Sequence, residues 1–460
     1  MAIAAPSTTV HYFQKCIKCG SEYPSDRFTY TCTQPECGGL LLVERDEEWI
    51  TSQVDQGVAA QHYFDGIRWS EKARRYPTGS GVFAWKDFIL PGFPDEACLA
   101  MFEGNTDLFE TPEWLRKELG VGPTFLKLEG QNPSGSFKDR GMSLAVSETL
   151  RLQIMYPELG ITGVCCASTG DTSAAAAAYA AYARDRLQCI ILVPHNKISP
   201  AQLNQAMQFG AKVVAVDSDE GFDGCMRIIQ EFSQTHADLV LVNSKNAFRL
   251  AGQETIGIEI MQDLRWRVPQ WISIPVGNGG NLTALLIGLL RAHKHGLIDR
   301  LPGILIGQAE VCDTLVRWNE NGRRPEAYQP GKFQHSVASA ANICDPVSFP
   351  RIEQLIGSFE TKFYRANEDE IQDAQMAFTR SGVDICPQTG ISLTALLKAR
   401  ADGTVKESDA CAVISTATGL KFSESAVKYH TEKEKAKYQN RFRVAEGSVE
   451  AVEQLIMNWS

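Results

Sequence analysis

From about Phe125 onward, short apolar runs of strand length alternate with longer segments whose apolar residues recur at helical spacing. The predicted strands are residues 162–167, 189–193, 212–217, 239–243, 271–276, 304–309 and 411–415. The predicted helices are residues 171–184, 200–209, 222–232, 249–264, 282–293, 368–381 and 389–400. Such alternation is typical of a parallel sheet covered by helices on both faces. The pattern therefore predicts an α/β fold.

Two stretches lack this alternation. Residues 46–105 carry aromatic and basic side chains without a clear period, and we interpret them as an arm packed on the main domain or on a second subunit. A regulatory ligand site in this stretch is the alternative interpretation. The charged segment KYHTEKEKAKYQNRF near the C-terminus is interpreted as the solvated face of a helix, not as an interaction tail.

Composition narrows the class of partners. The chain has 460 residues and is 44% hydrophobic, which is enough for two or three domains with substantial cores. Its formal net charge of -10 argues against nucleic acid and anionic membranes, because both bind basic surfaces. The apolar runs are shorter than the roughly 20 residues that span a bilayer. The N-terminal residues lack secretory and transit features. We therefore expect a cytoplasmic protein, in which helix N-termini can still bind a small anion.

Four of the thirteen cysteines cluster near the N-terminus with the spacing C-x2-C-x12-C-x4-C. They are Cys16, Cys19, Cys32 and Cys37. Two thiolate pairs on two turns build the tetrahedral zinc site of a ribbon, and four thiolates leave no open coordination position. We predict a structural zinc ion. The alternatives are redox-active cysteines or a ribbon that has lost its metal.

Candidate chemistry concentrates where predicted strands end. The turn GNGGN follows strand 271–276 and would direct amides outward at a helix N-terminus, an arrangement that binds a phosphate. The turn ASTGDTS follows strand 162–167 and has more hydroxyls than one helix cap needs, which suggests a carboxylate or other oxyanion ligand. STATGLK follows the last strand and offers a hydroxyl for a neutral ring nitrogen. A glycine-rich turn without function and a well-capped helix are the alternatives for the first two.

A lysine completes this set of groups. The turn-forming NPSG leads directly into SFKDRG, which places Lys138 at the start of a helical pattern. Alone, Lys138 could be a surface residue. Together with turns for a phosphate, a carboxylate and a ring nitrogen, it describes a pyridoxal phosphate site.

The motifs SFKDRG, ASTGDTSAA, GNGGN and STATGLK, in this order, resemble those of the fold type II pyridoxal phosphate enzymes and, within them, the plant-type threonine synthases. Further similar motifs are FEGNT at 102–106, NKIS at 196–199, FDGCM at 222–226, N-x2-R-x2-GQ at 246–253 and DICP-x-TG at 384–390. The resemblance spans roughly residues 102–422. It implies a tryptophan synthase β-like, two-domain, parallel-sheet architecture, here with an N-terminal zinc ribbon.

The resemblance also implies a division of the chain. We expect a zinc ribbon-like segment at 1–45 and a packing arm at 46–105. A pyridoxal phosphate-dependent catalytic core follows at 106–430, with a mobile subdomain at about 161–245, and then a helical tail at 431–460.

Individual roles follow from the resemblance in the same way. Lys138 is expected to bind the cofactor covalently and to act as the catalytic base, while Thr416 bonds the pyridine nitrogen. The residues expected to hold the cofactor phosphate are Gly277, Asn278, Gly279, Gly280 and Asn281. Those expected to bind substrate are Ser168, Thr169, Asp171 and Thr172 at its carboxylate, and Asn246 and Arg249 at its phosphate. Thr418 departs from the family, whose members often have histidine there.

The implied activity is a lyase reaction of threonine biosynthesis, in which O-phospho-L-homoserine and water give L-threonine and phosphate, and the implied assembly is a homodimer. Cysteate synthase, which uses O-phosphoserine and sulfite, is an alternative that the same motifs would serve. Dehydratases and cysteine synthase share the fold, but their substrates offer no phosphate to Arg249. A non-catalytic protein that binds the cofactor or zinc is a further alternative.

Overall fold

The computed structural model describes residues 9–69, 75–195, 200–218, 221–332 and 334–459. The motif NKIS at 196–199 lies outside the described residues. The strands are β1 (Tyr12–Cys16), β2 (Glu22–Pro24), β3 (Leu41–Arg45), β4 (Leu108–Glu110), β5 (Thr124–Leu128), β6 (Gly163–Ala167), β7 (Gln188–Pro194), β8 (Lys212–Val216), β9 (Leu239–Leu241), β10 (Trp271–Pro275), β11 (Gly303–Ala309), β12 (Thr361–Ala366) and β13 (Cys411–Ser415).

The α-helices alternate with these strands over most of the chain. They are α1 (Glu47–Gln53), α2 (Gly57–Trp69), α3 (Lys86–Ile89), α4 (Glu113–Leu119), α5 (Lys138–Met155), α6 (Asp171–Tyr182), α7 (Pro200–Gln208), α8 (Gly221–Thr235), α9 (Ala247–Gln253), α10 (Thr255–Asp263), α11 (Gly280–Lys294), α12 (Thr314–Glu320), α13 (Phe349–Leu355), α14 (Glu368–Thr379), α15 (Pro387–Ala401), α16 (Ser423–Thr431) and α17 (Val449–Met457).

The largest sheet has six strands in the order β12-β11-β10-β13-β5-β4. Its neighbouring strands are parallel except for the edge strand β4, which runs antiparallel to β5. Strands β10, β11 and β13 are buried along their whole length. Burial on both faces explains why these strands read in the sequence as nearly continuous apolar runs.

A second sheet has four parallel strands in the order β8-β7-β6-β9. Strand β6 is completely buried, whereas the edge strand β8 is largely exposed. The N-terminal ribbon forms a third sheet, which is antiparallel, in the order β2-β1-β3. The two parallel sheets confirm the predicted α/β fold.

The described residues 46–69 and 75–105 pack against the chain's own main domain. The aromatic side chains of Phe64, Trp85, Phe88 and Phe93 are each at most 2% exposed and belong to the main apolar core. Phe64 stacks on Trp85 with ring centroids 3.9 Å apart. Apolar burial therefore explains why this stretch is rich in aromatic residues yet has no simple period.

The predicted strands and helices match the observed ones closely, and strand 411–415 matches β13 residue for residue. The helix predicted at 249–264 is instead two helices, α9 and α10, which meet at Glu254. At this junction the Glu254 carbonyl oxygen lies 2.3 Å from the position of a Cβ atom on Gly288, so α11 packs directly on it. Strand β12 was not predicted, because its sequence TKFYRA mixes charged and apolar side chains at an edge of the sheet.

The prediction of one helix through KYHTEKEKAKYQNRF is wrong, since α16 ends at Thr431. Beyond it the chain folds back, because the Tyr429 hydroxyl donates to Asp373 at 2.6 Å and accepts from the Tyr438 amide at 3.0 Å. Within the described ranges, every helix is too short or too polar to cross a membrane.

Candidate active site

The loop that carries Lys138 lies beside the loop that follows β13. The Phe137 amide donates to the Thr416 carbonyl at 3.0 Å, and the Thr418 amide donates to the Gly135 carbonyl at 3.1 Å. These contacts form because β5 and β13 are parallel neighbours, so that their carboxyl ends meet at one edge of the sheet. Lys138 and Thr416 are therefore brought together, as the sequence predicted.

Lys138 is the first residue of α5, and its amine lies beside an aromatic ring. Its Nζ atom stands 3.9 Å from the centroid of the Phe137 ring. The pKa of Lys138 is lowered to about 7, chiefly by burial and also by the nearby Arg249 cation, while Asp171 acts in the opposite direction. A substantial fraction of this lysine is therefore neutral at neutral pH, which a nucleophile or a base requires.

Two glycines place Arg249 close to Lys138. A Cβ atom on Gly252 of α9 would lie 2.0 Å from the Arg140 carbonyl oxygen, and one on Gly141 of α5 would lie 2.5 Å from the Arg249 carbonyl oxygen. Such distances are far below van der Waals contact, so α5 and α9 can cross this closely only with glycine at both positions. The crossing holds α9 against the first turns of α5.

Arg249 and Asn246 differ in what they can offer a ligand. The Asn246 side chain accepts from the Phe248 amide at 3.0 Å and donates to the Leu241 carbonyl at 3.1 Å, so it caps α9. Arg249 donates to the Val242 carbonyl, but its Nε has no partner in the described part of the chain. Burial lowers the pKa of Arg249 to about 10, at which the guanidinium is still charged at neutral pH.

The GNGGN loop connects β10 to α11. Gly279 has a φ of 79°, in the left-handed region that favours glycine. A Cβ atom on Gly277 would lie 2.8 Å from the Ala341 Cα atom, so the loop is covered by residues 338–348. The Asn278 side chain holds the covering segment in place. Its amide group donates to Ser244 Oγ and accepts from the Val347 backbone amide, both at 2.7 Å.

This loop fits the phosphate of the cofactor. Asn281 is 7% exposed, and neither atom of its side-chain amide has a hydrogen-bond partner among the described residues. The buried Ser348 Oγ, which lies 4.0 Å from the position of a Gly280 Cβ atom, is unpartnered within the same part of the chain. Buried polar groups without partners are costly unless a ligand satisfies them. A phosphate at the N-terminus of α11 would do so.

Thr416 and Thr418 sit differently in the loop after β13. Thr416 is 6% exposed, and its Oγ1 lies 3.3 Å from Cys386 Sγ, so it offers a neutral hydroxyl at the strand end. Thr418 donates to the Asp384 carboxylate, which also accepts from the Leu420 amide at 3.0 Å. In this chain Thr418 therefore shapes the loop through Asp384, which a neutral histidine could also do.

The hydroxyl-rich turn after β6 leads into α6. Ser168 Oγ accepts from the Gly170 amide at 3.2 Å, and Ser173 Oγ donates to the Gly170 carbonyl at 2.7 Å. The hydroxyls of Thr169 and Thr172 make no hydrogen bond that the described residues account for. The first amides of α6 also lack intrahelical partners, as at any helix N-terminus. The turn can thus donate several hydrogen bonds to a carboxylate.

Sequence reasoning missed three residues at this site. Cys386 and Lys421 lie inside the motifs DICP-x-TG and STATGLK, so their motifs were found but their contacts could not be inferred. Ser348 belongs to a segment without any motif, and only its packing on the GNGGN loop reveals it.

The four N-terminal cysteines converge as their spacing predicted. Their Sγ atoms all lie within 4.8 Å of one another. Cys16 and Cys37 are 3.6 Å apart at sulfur, and Cys19 and Cys32 are 3.4 Å apart. A Cβ atom on Gly39 would lie 2.7 Å from Cys16 Sγ, which explains the glycine after Cys37. Four thiolates at this spacing fit a tetrahedral ion with metal–sulfur distances of about 2.3 Å.

A lysine with a lowered pKa, a phosphate loop and a neutral hydroxyl at three strand ends define a class of enzyme. The family model described as "Pyridoxal-phosphate dependent enzyme" matches residues 99–417, and the chain belongs to this family. Proteins similar to this chain include threonine synthases. Threonine synthase 2, chloroplastic, of Arabidopsis thaliana is 38% identical over 396 residues, which cover 85% of this chain and 75% of the relative. Threonine synthase of Methanocaldococcus jannaschii is 35% identical over 416 residues, which cover 90% and 94%.

Solved structures show the same fold. Threonine synthase from Escherichia coli matches with a TM-score of 0.65 and 20% identity, over 95% of this chain and 96% of that chain. Cysteine synthase from Entamoeba histolytica matches with a TM-score of 0.58 and 17% identity, over 73% and 91%. The fold is therefore shared by enzymes of different activities, and the resemblance to threonine synthases is confirmed by the sequence relatives.

Proposed function

We propose that this chain catalyses the conversion of O-phospho-L-homoserine and water to L-threonine and phosphate, the reaction of a threonine synthase. The observation that carries this proposal is the position of Lys138, an amine with a pKa of about 7 beside the loop that contains Thr416 and within electrostatic reach of Arg249 and Asp171. The threonine synthases that are 35% to 38% identical over most of the chain support it.

Residues of the six-stranded sheet would hold pyridoxal phosphate. Lys138 would bind it covalently, Thr416 would bond its ring nitrogen, and Gly277, Asn278, Gly279, Gly280 and Asn281 would hold its phosphate. When bound, this cofactor supplies an electron sink that stabilises negative charge on the carbon atoms of an amino acid. A neutral hydroxyl such as that of Thr416 leaves the ring nitrogen uncharged, whereas a carboxylate would favour its protonation.

The remaining groups act on the substrate. Ser168, Thr169, Asp171 and Thr172 surround the α-carboxylate at the N-terminus of α6, where amides and hydroxyls have hydrogen bonds to donate. Arg249 binds the phosphate through its unpartnered Nε, and Asn246 positions Arg249 by capping α9. The Lys138 amine, neutral in a substantial fraction at pH 7, takes the proton from the substrate α-carbon.

We further propose that the β6–β9 sheet, with residues of about 161–245, moves as a subdomain and closes the turn at Ser168 over the substrate. Closure would exclude water from the reacting carbons until the phosphate has left. The support is its light packing, with an edge strand β8 that is largely exposed.

One assay separates the proposal from its nearest alternative. The purified protein loaded with pyridoxal phosphate is incubated with O-phospho-L-homoserine, and in parallel with O-phospho-L-serine and sulfite. Phosphate release accompanied by L-threonine in the first reaction supports the proposal. Cysteate formed in the second reaction, with no threonine in the first, contradicts it. Lys138→Ala protein prepared identically excludes a contaminating enzyme.

We propose that Cys16, Cys19, Cys32 and Cys37 bind one structural zinc ion. The converging sulfur atoms support this, as does the absence of any open position for a reactant on a four-thiolate ion. Elemental analysis should find one zinc per chain and clearly less in Cys37→Ser. The proposal would be contradicted if the protein contained no metal and all four cysteines titrated as free thiols.

A homodimer in the cytoplasm completes the proposal. The homodimer is proposed because dimers are common in this fold type. The cytoplasmic location is proposed because of the residue composition. Light scattering of the purified protein should give twice the mass of the chain. Fractionation of the source cells tests the location, for which the chloroplastic relative from Arabidopsis thaliana sets the contrasting expectation.

A further inference from the structure

An ion pair that the roles above leave unexplained joins the two parallel sheets at the active site. Lys421, in the loop after β13, places its Nζ atom 2.9 Å from Asp171 Oδ1 at the first position of α6. Both side chains are largely buried, with 16% and 9% exposure. Surface ion pairs contribute little to stability, but a buried pair leaves a costly unpaired charge if one partner is removed.

Lys421 is held in place by the loop that carries Lys138. A Cβ atom on Gly135 would lie 3.1 Å from Lys421 Cε and 3.0 Å from Thr418 Cγ2. Gly135 also has a φ of 86°, which favours glycine at this position. The lysine stem therefore passes directly over the turn NPSG before its ammonium reaches Asp171.

The same pair lies within electrostatic reach of the first turn of α5. Asp171 raises the pKa of Lys138, and Lys421 lowers the pKa of Asp139, as minor contributions beside the dominant effect of burial. The two charges thus border the space around Lys138.

Asp171 creates an electrostatic problem at the turn that the substrate carboxylate would occupy. The turn donates hydrogen bonds through amides and hydroxyls, yet it also carries a carboxylate of its own. Like charges brought together out of water disfavour each other, and the substrate would be repelled if Asp171 were unpaired. The ammonium of Lys421 removes this repulsion.

We infer that Lys421 is a substrate-positioning residue, whose ammonium neutralises Asp171 and so allows the turn at Ser168 to accept the α-carboxylate of the substrate. This inference rests on the proposed function, because it assigns the carboxylate to that turn. Since Asp171 begins α6, which follows strand β6 of the four-stranded sheet, and Lys421 follows strand β13 of the six-stranded sheet, the pair also fixes the relative position of the two sheets around the substrate.

The test is a set of variants assayed with O-phospho-L-homoserine. Lys421→Met leaves Asp171 buried and unpaired, and we expect KM to rise at least tenfold while kcat changes by less than about threefold. In the double variant Lys421→Met with Asp171→Asn the unpaired charge is gone, so KM should fall at least about threefold below that of Lys421→Met. Lys421→Arg keeps the charge and should stay close to wild type.

Ligands that carry only one end of the substrate distinguish the carboxylate from the phosphate. By calorimetry, L-threonine, which has the carboxylate and no phosphate, should bind Lys421→Met at least tenfold more weakly. The decarboxylated analogue 3-aminopropyl phosphate should bind wild type and Lys421→Met equally. A parallel loss of both ligands would mean that Lys421 supports the phosphate or the general shape of the site, and the inference would be overturned.

Lys428 provides the matched control. It forms an exposed ion pair with Glu424 at 2.8 Å in the next helix, α16. Lys428→Met should change neither KM nor ligand binding. An unchanged KM in Lys421→Met, or a double variant whose KM does not fall below that of Lys421→Met, overturns the inference. If Lys421→Met does not fold, Lys421→Arg and the double variant still decide it.

Failure of the inference is distinguishable from failure of the proposed function. If wild type makes no threonine but uses O-phospho-L-serine with sulfite, the proposed function is wrong. The same variants can then be assayed with O-phospho-L-serine, because that substrate has the same α-carboxylate. If wild type makes threonine and Lys421→Met does so with an unchanged KM, only the inference is wrong.

Discussion

The six-stranded and four-stranded sheets hold different halves of the site and are packed differently. Strands β10 and β13 of the larger sheet are buried throughout, and the loops after these strands and after β5 supply the groups expected to hold the cofactor. The smaller sheet ends in the largely exposed strand β8 and supplies the turn expected to hold the substrate carboxylate. Groups expected to keep a fixed geometry thus follow strands of the larger sheet. The turn that would admit substrate follows the buried strand β6 of the smaller sheet, which is lighter only at its exposed edge strand β8.

The half of the site on the six-stranded sheet also contains the close crossing of α5 and α9 at Gly141 and Gly252. No flexible side chain separates α5 from α9 there, so a shift of either helix moves Lys138 and Arg249 together. The half of the site on the four-stranded sheet is joined to this arrangement by the buried ion pair of Lys421 and Asp171. The comparison therefore predicts unequal sensitivity of the two halves to substitution.

Removing the amine of Lys138 should have the largest effect on activity. Lys138→Ala is expected to lower threonine formation by roughly 10³-fold or more, because general acid–base catalysis by a positioned group is typically worth 10² to 10⁴. The variant should also lose the cofactor absorbance on dialysis. Lys117→Ala, in an exposed ion pair with Glu113, is the control and should match wild type. Turnover near that of wild type in Lys138→Ala would remove Lys138 from the mechanism.

The low pKa of Lys138 should be visible as unusual reactivity. In the cofactor-free protein, labelling of Lys138 by an amine-directed reagent should rise with a midpoint near pH 7, because loss of a proton exposes the reactive neutral amine. An ordinary lysine has a pKa of about 10.4, so its neutral fraction at pH 7 is below about 10⁻³. Peptide mapping of Lys138 beside the exposed Lys117 measures the difference. Equal midpoints for the two lysines would show that the surroundings of Lys138 do not shift its pKa.

Hydrogen exchange should separate the two sheets directly. Amides of the edge strand β8 are expected to exchange at least about tenfold faster than those of β10 and β13, because β8 is largely exposed and less burial is lost when it opens. Binding of a substrate analogue should reduce this difference if the smaller sheet closes. Identical protection of the two sheets with and without ligand would argue against a mobile subdomain.

One added methyl group should disrupt the close crossing of α5 and α9. Gly252→Ala should destabilise the fold by about 1 to 3 kcal/mol, since a Cβ atom would overlap the Arg140 carbonyl oxygen and force α9 away from α5. Denaturant unfolding measures this, with Gly66→Ala as control. Gly66 lies in α2 with no neighbour within 4 Å of its would-be Cβ atom, so alanine there should stabilise by up to about 1 kcal/mol. Similar stability of the two variants would contradict the crossing.

The smallest effect is expected at Cys386. Its thiol lies 3.3 Å from Thr416 Oγ1 and helps to orient that hydroxyl. Cys386→Ala should lower kcat by about two- to fivefold, as expected from the loss of one weak hydrogen bond worth about 0.5 to 1 kcal/mol. Cys411→Ala, at a buried cysteine on β13 that does not touch Thr416, is the control. A larger effect at Cys411 than at Cys386 would assign the loss to packing.

Local patterns in the sequence predicted most of the fold. The alternation of apolar runs and helical segments predicted a parallel sheet covered by helices, and turn residues placed the candidate groups at strand ends. The failures share one cause, which is that distant contacts override local preference. α9 and α10 meet at Glu254, where α11 packs at Gly288, and the chain folds back after α16, where Tyr429 bonds Asp373 and Tyr438.

The sequence by itself determined the order of strands and helices, the spacing of the four cysteines and the residue types at each strand end, because these depend on neighbours along the chain. The tertiary structure alone decided which strand ends meet. It placed β13 between β10 and β5, so that Thr416 lies beside Lys138. It also paired Lys421 with Asp171, 250 positions apart, and buried Lys138 deeply enough to lower its pKa to about 7. Burial and long-range pairing arise only when the sheets pack, and no local pattern encodes them.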